Sequence, residues 1–350
     1  MWVMTAELRY VRVSGPRRLE ELTEDEQAPA PDGVVVDITY GGICGTDVHG
    51  YTDGHMLPPA VFGHEWTGRV SAVGDEVSGL RVGQRVVGGV GPACGACGQC
   101  VAGHARQCDT VFAEANGVDA AAPPHGAFAT RLRVAARRVI PVPDALSDVE
   151  AALVEPATVT FHAVRRTAME LGALAVVQGA GPIGLLTAQH ARNAGAGRVI
   201  VSEPSPARRN AAAQLGFHDV VAPEGLAEVL ERAGNGLGAD VLFECAGVAS
   251  LLQPSAELVR RGGTLALLGF PLTESTVSYG DWQSRELRVV GSLAYNHEDF
   301  VGTMGAIAER RIDVAALHTG TIGLSRLGEL LEELDSGRST HTKVLVDPRS

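Results

Sequence analysis

The chain has 350 residues, of which 45% are hydrophobic and 20% charged, a composition typical of a globular protein long enough for two domains. Its formal net charge of −12, with no basic patch to offset it, argues against nucleic acid and anionic membranes as partners. No apolar run approaches the ~18 residues that a membrane span needs, and the N-terminus MWVMTAELRYVRV does not resemble a signal peptide. We therefore expect a cytoplasmic protein.

Residues 1–148 are rich in glycine, proline and β-branched residues. Turn signals repeatedly interrupt short apolar runs such as 34–38 and 85–87, which predicts a β-barrel-like domain with loops. From residue 149 onwards helical periodicity appears, and predicted strands then alternate with predicted helices.

This alternation is regular along the second part of the chain. Strands are predicted at 174–178, 198–203, 240–245 and 263–268, with helices at 183–193 and 206–215. Strands and helices of these lengths indicate a doubly wound parallel sheet. The last predicted strand, 343–346, is expected to rejoin the first domain. The predicted fold class is therefore α/β, with a barrel-like domain formed by 1–148 and 294–350 and a doubly wound domain formed by 149–293.

Four cysteines lie in one glycine-rich stretch, GPACGACGQCVAGHARQC, as Cys94, Cys97, Cys100 and Cys108. Tetrahedral zinc binds thiolates about 2.3 Å from the metal, and short glycine-containing spacings let a single loop surround it. In a reducing compartment, such clustering favours a metal over disulfides. Four thiolates leave no open coordination position, so we predict a structural zinc site.

A glycine-rich turn lies between a predicted strand and a predicted helix. Gly179, Gly181, Pro182, Ile183 and Gly184 fall within a G-x-G-x-x-G pattern. The first glycine permits a tight turn, the second lets the backbone approach a pyrophosphate, and the third allows close packing of helix and strand. The pattern therefore predicts a dinucleotide site at the N-terminus of the helix.

An acidic residue follows this turn at the distance that dinucleotide sites require. Glu203 ends the next predicted strand, where a carboxylate accepts hydrogen bonds from ribose hydroxyls and repels a 2′-phosphate. This favours NAD over NADP as the cofactor. Arg208, also predicted to contact the cofactor, and its neighbour Arg209 could tolerate a phosphate, so the preference rests mainly on Glu203.

Several further motifs occur in the same chain: GGICGTDVHG, FGHEWTG, HGAFATRLRV, LVEPATVTFHAV and KVLVDP. Together with the cysteine loop and the glycine-rich turn, they resemble the zinc-containing medium-chain alcohol dehydrogenases, in the branch of polyol, butanediol and threonine dehydrogenases. The resemblance covers nearly the whole chain. It implies a GroES-like β-barrel catalytic domain, a Rossmann domain, and one catalytic and one structural zinc per chain.

The resemblance also implies a set of metal ligands. Cys44 and His64 would bind the catalytic zinc, and Glu65 would be a third ligand or an immediate partner of the ligands. Glu155 lies where the better-known alcohol dehydrogenases have a second cysteine, and it would bind the zinc or exchange with zinc-bound water. Which glutamate is bound in the resting state is left open by the sequence.

The same resemblance implies a path for the proton. Thr46 would accept the proton of the alcohol and pass it through the cofactor ribose to His49, which exchanges it with solvent. Lys343, the single lysine of the chain, occupies the position where relatives have a basic residue against the cofactor pyrophosphate.

The expected reaction is hydride transfer between NAD and a small-molecule secondary alcohol or ketone: a polyol, cyclitol, sugar derivative or vicinal diol. A threonine-type amino-alcohol dehydrogenase and a non-catalytic nucleotide-binding protein are the alternatives. The segment 50–63 is shorter than in many relatives and is expected at the pocket mouth, which Tyr51, Trp66, Tyr295 and His297 could line. A homodimer or homotetramer is expected, built on an edge strand near 287–293.

Overall fold

The computed structural model describes residues 7–25, 28–54, 62–115, 123 and 125–350. The chain divides into two compact units, the first comprising Met1–Glu155, Ala294–Ala308 and Leu317–Ser350, and the second Pro156–Leu293 and Glu309–Ala316. The chain therefore passes from one unit to the other after residues 155, 293, 308 and 316. The assignment of 1–148 with 294–350 to one domain and 149–293 to the other stays a prediction. Within the described ranges, no helix is long and apolar enough to cross a membrane.

The elements of the first unit come from both ends of the chain. Its N-terminal part contains β1 (Glu7–Gly15), β2 (Arg18–Asp25), β3 (Gly33–Gly42), α1 (Gly45–Asp53), β4 (Glu65–Val73), β5 (Arg85–Gly88), α2 (Gly98–Val101), α3 (Asp109–Ala115), β6 (Arg131–Ala135), β7 (Val139–Pro141) and α4 (Asp148–Ala152). Helix α5 (Val154–Thr167) begins in this unit and continues into the second.

The second unit alternates strands and helices. It contains β8 (Leu174–Gln178), α6 (Pro182–Asn193), β9 (Arg198–Ser202), α7 (Pro206–Gln214), β10 (Asp219–Val221), α8 (Pro223–Ala233), β11 (Ala239–Glu244), α9 (Leu252–Glu257), β12 (Val259–Leu267), α10 (Tyr279–Ser284) and β13 (Arg288–Gly291). The chain ends with α11 (His297–Ala308), β14 (His318–Gly323), α12 (Leu327–Asp335) and β15 (Lys343–Asp347). Short 3₁₀ turns lie at Ala105–Gln107, Ala136–Arg138, Ala249–Leu251, Ala315–Leu317 and Leu324–Arg326.

The first unit is built on one mainly antiparallel sheet with the strand order β14-β15-β3-β4-β5-β7, in which β6 also pairs with β3. Alternate residues of β3, including Val34, Val36 and Ile38, are almost fully buried and pack with Trp66 and Val86. These three side chains lie on one face of the strand, and Val35 on the opposite face is buried as well. Strands β1 and β2 form a separate two-stranded hairpin that the sequence did not predict.

The second unit is a parallel six-stranded sheet with the order β10-β9-β8-β11-β12-β13. This is the doubly wound order in which a dinucleotide binds where the strand order reverses, here between β8 and β11. Val176, Ile200, Leu242 and Leu265 are fully buried at its centre. Because the central strands are covered on both faces, their sequences are continuous apolar runs, and this is why they could be predicted closely.

Candidate active site

Three neighbouring strands bring the residues of the first site together. Glu65 begins β4 and pairs with Gly42 at the end of β3, so Cys44, two residues further on, lies beside His64 and Glu65. On the other side of β3, Leu345 of β15 also pairs with Gly42. This places the start of β15 beside the same turn. The register of the sheet therefore positions groups that are far apart in sequence.

The side chains of this cluster have a geometry that suits a metal ion. The Cys44 sulfur, a His64 ring nitrogen and a Glu65 carboxylate oxygen all lie within 4.8 Å of one another. A tetrahedral zinc with bonds of about 2.0–2.3 Å needs its ligand atoms roughly 3.3–3.8 Å apart. Glu65 is only 1% exposed, and a buried carboxylate requires a cation beside it. The donor set and its spacing therefore fit zinc.

Gly42 leaves space for the Glu65 carboxylate. A Cβ atom at Gly42 would lie 2.2 Å from Glu65 Oε2 and 3.1 Å from its Cβ, too close for any side chain. Because the two residues are paired across β3 and β4, neither can move without disturbing the register. A glycine at this position is consequently part of the metal-ligand architecture.

Lys343 lies beside this cluster, and its predicted contact with a cofactor pyrophosphate stays a prediction. Its side chain is 4% exposed, and its ammonium donates to Glu65 Oε1 at 2.6 Å and to the Ile43 carbonyl at 2.8 Å. The ammonium also forms an ion pair with Glu65 Oε2. A buried lysine requires such partners, because an unpaired charge in the protein interior is costly.

Asp47 is a functional residue that the sequence analysis missed. It is fully buried, accepts the Cys44 N–H (2.8 Å) and the Gly63 N–H (2.8 Å), and lies 3.9 Å from His64 Nδ1. One carboxylate thus holds the backbone beside two of the clustered ligands. Burial raises the pKa of the Asp47 carboxyl to about 6, although His64 and the two N–H groups oppose this rise. Its spacing of three from Cys44, at the start of a helix, was the available signal.

Glu155 lies near the cluster but contributes no ligand atom to it among the described residues. It is 6% exposed in the first turn of α5 and is hydrogen-bonded to the buried Tyr295 hydroxyl. Burial raises the pKa of Glu155 to about 7, with His64 lowering and Glu65 raising it. Burial and Glu155 also raise the pKa of Tyr295 well above its ordinary value. Glu155 is therefore a carboxyl group beside the cluster that can hold or release a proton near neutral pH.

Thr46 and His49 lie on the same face of α1, three residues apart. The Thr46 side chain is exposed, and its Oγ1 lies 3.7 Å from the Cys44 sulfur. His49 is half-buried, and its carbonyl accepts a hydrogen bond from Thr52 (3.0 Å). Both predicted relay groups therefore follow the Cys44 ligand on one helix.

The other residues considered for the pocket have different surroundings. The Tyr51 hydroxyl donates to Glu332 at 2.8 Å, and its ring lies in the core with Val11 and Leu327. His297 Nδ1 is 3.0 Å from the Val90 carbonyl oxygen. The segment 50–63 cannot be compared with the prediction, because 55–61 lie outside the described residues.

The cysteine loop forms a second cluster. The sulfur atoms of Cys94, Cys97, Cys100 and Cys108 all lie within 4.8 Å of one another. Cys97 and Cys108 have a sulfur separation of 3.9 Å, close to the roughly 3.8 Å expected in a ZnS₄ tetrahedron. The Cys97 and Ala96 N–H groups donate to the Cys94 sulfur at 3.3 and 3.4 Å. Hydrogen bonds from Thr110 and these N–H groups lower the pKa of Cys94 to about 6, which favours the thiolate that zinc binds.

The glycine-rich turn of the second unit has the geometry of a dinucleotide site. Gly179 follows β8 with φ of 96°, a left-handed conformation that favours glycine, and Gly181 caps α6 with Pro182 and Ile183 in its first turn. A Cβ atom at Gly184 would lie 1.9 Å from the Gly179 carbonyl oxygen. The backbone therefore requires glycine at Gly179 and Gly184, whereas a Cβ atom at Gly181 would meet no atom within 4 Å.

Glu203 lies beside this turn, just after β9. Its Oε2 accepts the Ala180 N–H at 2.8 Å and its Oε1 accepts the Ser205 N–H at 2.9 Å. Each oxygen has a second lone pair with which it can accept a ribose hydroxyl. The Arg209 guanidinium donates to the carbonyls of Glu203 (2.7 Å) and Pro204 (2.6 Å), whereas Arg208 is exposed in the first turn of α7.

Comparison with known proteins identifies the family. Residues 30–144 match the alcohol dehydrogenase GroES-like domain, and residues 182–309 match the zinc-binding dehydrogenase domain. The chain is 33% identical to 2-dehydro-3-deoxy-L-galactonate 5-dehydrogenase of Pseudoalteromonas atlantica, over 91% of this chain and 93% of that protein. The chain belongs to the zinc-dependent medium-chain alcohol dehydrogenases. It is an enzyme, and the predicted pairing of a GroES-like domain with a Rossmann domain is confirmed.

Two further relatives support this assignment. Sorbitol dehydrogenase of Bacillus subtilis is 32% identical, over 92% of this chain and 93% of the relative. The crystal structure of 2R,3R-butanediol dehydrogenase from Bacillus subtilis superposes with a TM-score of 0.84 at 28% identity, covering 97% of this chain and 99% of that one. The resemblance to the polyol and butanediol branch is therefore confirmed.

Proposed function

We propose that this enzyme transfers a hydride between NAD and the secondary alcohol or ketone of a polyol or sugar-derived substrate. The observation that carries the proposal is the Cys44–His64–Glu65 cluster, in a chain that also has a glycine-rich turn of the dinucleotide-binding type. The names of the sorbitol and butanediol dehydrogenases support the substrate class.

Cys44, His64 and Glu65 would hold the catalytic zinc, and the four cysteines 94, 97, 100 and 108 would hold a structural zinc. When bound, the catalytic zinc supplies a Lewis acid that lowers the pKa of the alcohol. Asp47 fixes the backbone beside two ligands through its bonds to Cys44 and Gly63. Contacts of this kind, from residues that do not bind the metal themselves, orient the metal ligands and affect metal affinity.

The proton of the alcohol leaves through groups of α1. Thr46 accepts it at its hydroxyl and releases its own proton towards the cofactor ribose, and His49 exchanges the proton with solvent. Glu155, held by Tyr295, orients the hydroxyl groups of the substrate or a water molecule beside the cluster. When bound, NAD would supply the hydride acceptor for the hydrogen on the alcohol carbon, so that oxidation of the alcohol would be matched by reduction of NAD.

Glu203 would select NAD over NADP. Its two oxygens flank the glycine-rich turn and accept the ribose hydroxyls, while a 2′-phosphate would meet the same negative charge. The neutral isostere Glu203→Gln should reduce kcat/KM for NAD by about 10- to 100-fold, the cost of losing hydrogen bonds to a charged group. Arg208→Gln is the matched control, and it should affect NADP more than NAD.

The direct test is a substrate screen with purified, zinc-loaded enzyme. NADH formation is followed with sorbitol, xylitol, butanediol and threonine as substrates, each with NAD and with NADP. We expect turnover with the polyols or the diol, and more with NAD than with NADP. A protein that holds zinc and binds NADH but turns over none of these alcohols would contradict the proposal.

A further inference from the structure

A buried carboxylate, Glu244, ends β11 in the second unit. Glu244 is 5% exposed, and its Oε1 accepts the N–H groups of Ala246 at 2.8 Å and Gly247 at 3.0 Å. Its Oε2 also accepts the Gly247 N–H, at 3.2 Å. Because the side chain only accepts hydrogen bonds in these contacts, they favour its ionised form.

The charge of Glu244 is not balanced by a cation of the protein. Among the described residues it forms no ion pair, and its side chain is bound only by backbone N–H groups. Burial raises the pKa of the Glu244 carboxyl, and the N–H groups of Ala246 and Gly247 oppose this rise. A buried charge without a cation costs stability, which points to a ligand that supplies the positive charge.

The loop that Glu244 holds packs against the glycine-rich turn. The Cys245 N–H donates to the Gln178 carbonyl at 3.0 Å, and a Cβ atom at Gly179 would lie 3.4 Å from the Ala246 nitrogen. Gly179 is the first glycine of the turn. β8 and β11, which precede the turn and this loop, are the strands between which the strand order reverses. Glu244 therefore lies at the edge of the sheet where a dinucleotide binds.

A second loop is attached to the same residue. The Glu244 carbonyl accepts the N–H groups of Leu268 and Gly269, each at 2.9 Å, directly after β12. A Cβ atom at Gly269 would collide with the Gly247 backbone and would lie 2.7 Å from Glu244 Oε2. The carboxylate is therefore held between the loops that follow β11 and β12.

A doubly wound sheet consists of two halves, each of which binds one nucleotide of the cofactor. Here the halves are β8 to β10 and β11 to β13. Glu203 follows β9 in the first half, where the ribose that carries the 2′-phosphate of NADP binds. That ribose belongs to the adenosine, so we expect the nicotinamide nucleotide in the second half, which contains Glu244.

We propose that Glu244 strengthens the binding of NAD relative to NADH, because its negative charge attracts the positively charged nicotinamide ring of NAD but not the neutral ring of NADH. This rests on the proposed function and specifies how the site distinguishes the two forms of its cofactor. Unit charges about 10 Å apart still change an affinity roughly 10-fold at the effective dielectric constant of proteins. Such a difference favours oxidation of the alcohol and release of NADH.

Cofactor binding to the zinc-loaded protein tests the proposal without turnover. The Kd for NAD is measured by calorimetry and the Kd for NADH by its fluorescence, in wild type and in Glu244→Gln. The glutamine keeps an oxygen that accepts the two N–H groups and removes the charge. We expect the Kd for NAD to rise about 10-fold and the Kd for NADH to change by less than about 2-fold.

Three further measurements separate the charge of Glu244 from its shape. Glu244→Asp keeps the charge, so the ratio of the two Kd values should stay within about 2-fold of wild type even where both affinities fall. AMP binds only the first half, so its Kd should not change in Glu244→Gln, whereas Glu203→Gln should weaken AMP binding. Glu257→Gln, at an exposed glutamate of α9, is the matched control and should change none of these Kd values.

Each outcome has a distinct meaning. A ratio of the NAD and NADH Kd values that Glu244→Gln leaves unchanged would overturn this inference and leave the proposed function intact. Equal weakening of AMP and NAD would also overturn it, because Glu244 would then act on the whole site. If Glu244→Gln does not fold, Glu244→Asp gives the result: a change of about 10-fold in the ratio, with the charge retained, contradicts the inference. A wild-type protein that binds neither NAD nor NADH would contradict the proposed function as well.

Discussion

The two metal-ligand clusters of the first unit are built in different ways. The cysteine loop takes all its ligands from residues 94–108, and neither α2 nor the 3₁₀ turn after it buries any residue. The residues of the Cys44–His64–Glu65 cluster instead lie at the end of β3 and the start of β4, and β15 pairs with β3 beside them. We therefore expect the loop to depend on a bound metal for its structure, whereas the paired strands position the residues of the second cluster.

Because of this difference, we expect loss of the metal to have different consequences at the two clusters. A loop without a hydrophobic core is ordered by metal–thiolate bonds. The free energy of metal binding is then also the free energy that folds the loop. A cluster at the ends of paired strands costs the fold little when its metal leaves, because β3 and β4 remain hydrogen-bonded. The predictions below test this contrast, from the largest expected effect to the smallest.

Removal of a cysteine from the loop should have the largest structural effect. Cys108 is 1% exposed, and Cys108→Ser should abolish tight binding of the structural metal, which in small zinc domains contributes about 10–16 kcal/mol. Hydrogen exchange of residues 94–115 should rise to the level of an unfolded segment. Cys245→Ser, at a cysteine outside both clusters, is the control. Unchanged protection in the Cys108 variant would show that the loop is ordered without its metal.

Replacement of Lys343 should reveal how charges are balanced in the Cys44–His64–Glu65 cluster. Lys343→Met leaves Glu65 buried without its ammonium, which should cost about 3–5 kcal/mol of unfolding free energy in metal-free protein. Zinc at the cluster compensates the same carboxylate, so the cost should be smaller in zinc-loaded protein. Urea unfolding of wild type and variant in both states measures the difference. Lys343→Arg keeps the charge and should lower the unfolding free energy by less than Lys343→Met does. An equal loss of unfolding free energy for Lys343→Met with and without zinc would contradict this account.

Asp47 should affect the metal and the reaction more than the fold. Asp47→Asn keeps the shape but removes the negative charge beside His64, and we expect a 10- to 100-fold loss of metal affinity or activity. A competition assay with a chelator measures affinity, and the melting temperature measures the fold. Asp37→Asn is the control, at a half-buried acid of the same sheet that forms an ion pair with Arg131. If metal affinity stays at the wild-type value while stability falls, Asp47 has only a structural role.

The second unit contains a group that senses acid independently of either metal cluster. His190 is 3% exposed, and burial lowers its pKa to about 4, with its Nε2 3.1 Å from the Ala157 carbonyl oxygen. Below pH 6.5 the unfolded chain binds a proton at this histidine that the folded chain does not bind, so stability falls as pH decreases towards 4. The expected loss at pH 5 is about 1–2 kcal/mol.

His190→Gln should remove this part of the acid sensitivity. The difference in unfolding free energy between variant and wild type, measured from pH 7.5 to 5 under identical zinc conditions, cancels any effect of metal loss. His218→Gln, at an exposed histidine, should leave the pH dependence unchanged. A difference that does not vary with pH would contradict the assigned pKa.

The sequence predicted the parallel sheet well because its central strands are buried on both faces. The predicted strand 174–178 coincides with β8, and the helix predicted at 206–215 differs from α7 by one residue. The β1–β2 hairpin was missed although Gly15 and Pro16 mark its turn, because β2 is mostly exposed and buries little apolar surface. In the site, the motifs selected Cys44, His64 and Glu65, which the structure brings together, but they did not reveal the contact between Lys343 and Glu65. That contact depends on the pairing of β15 with β3, a long-range register that sequence spacing does not contain.

The most direct test of the account is the zinc content of the wild type and of Cys44→Ser, measured together with NAD reduction and circular dichroism. We predict two zinc ions per chain in the wild type, one for each cluster, and one in the variant. The variant should keep its circular dichroism spectrum and lose turnover. A Cys44→Ser protein that retains both zinc ions and its activity, or that loses both ions and unfolds, would contradict the separation of the two sites.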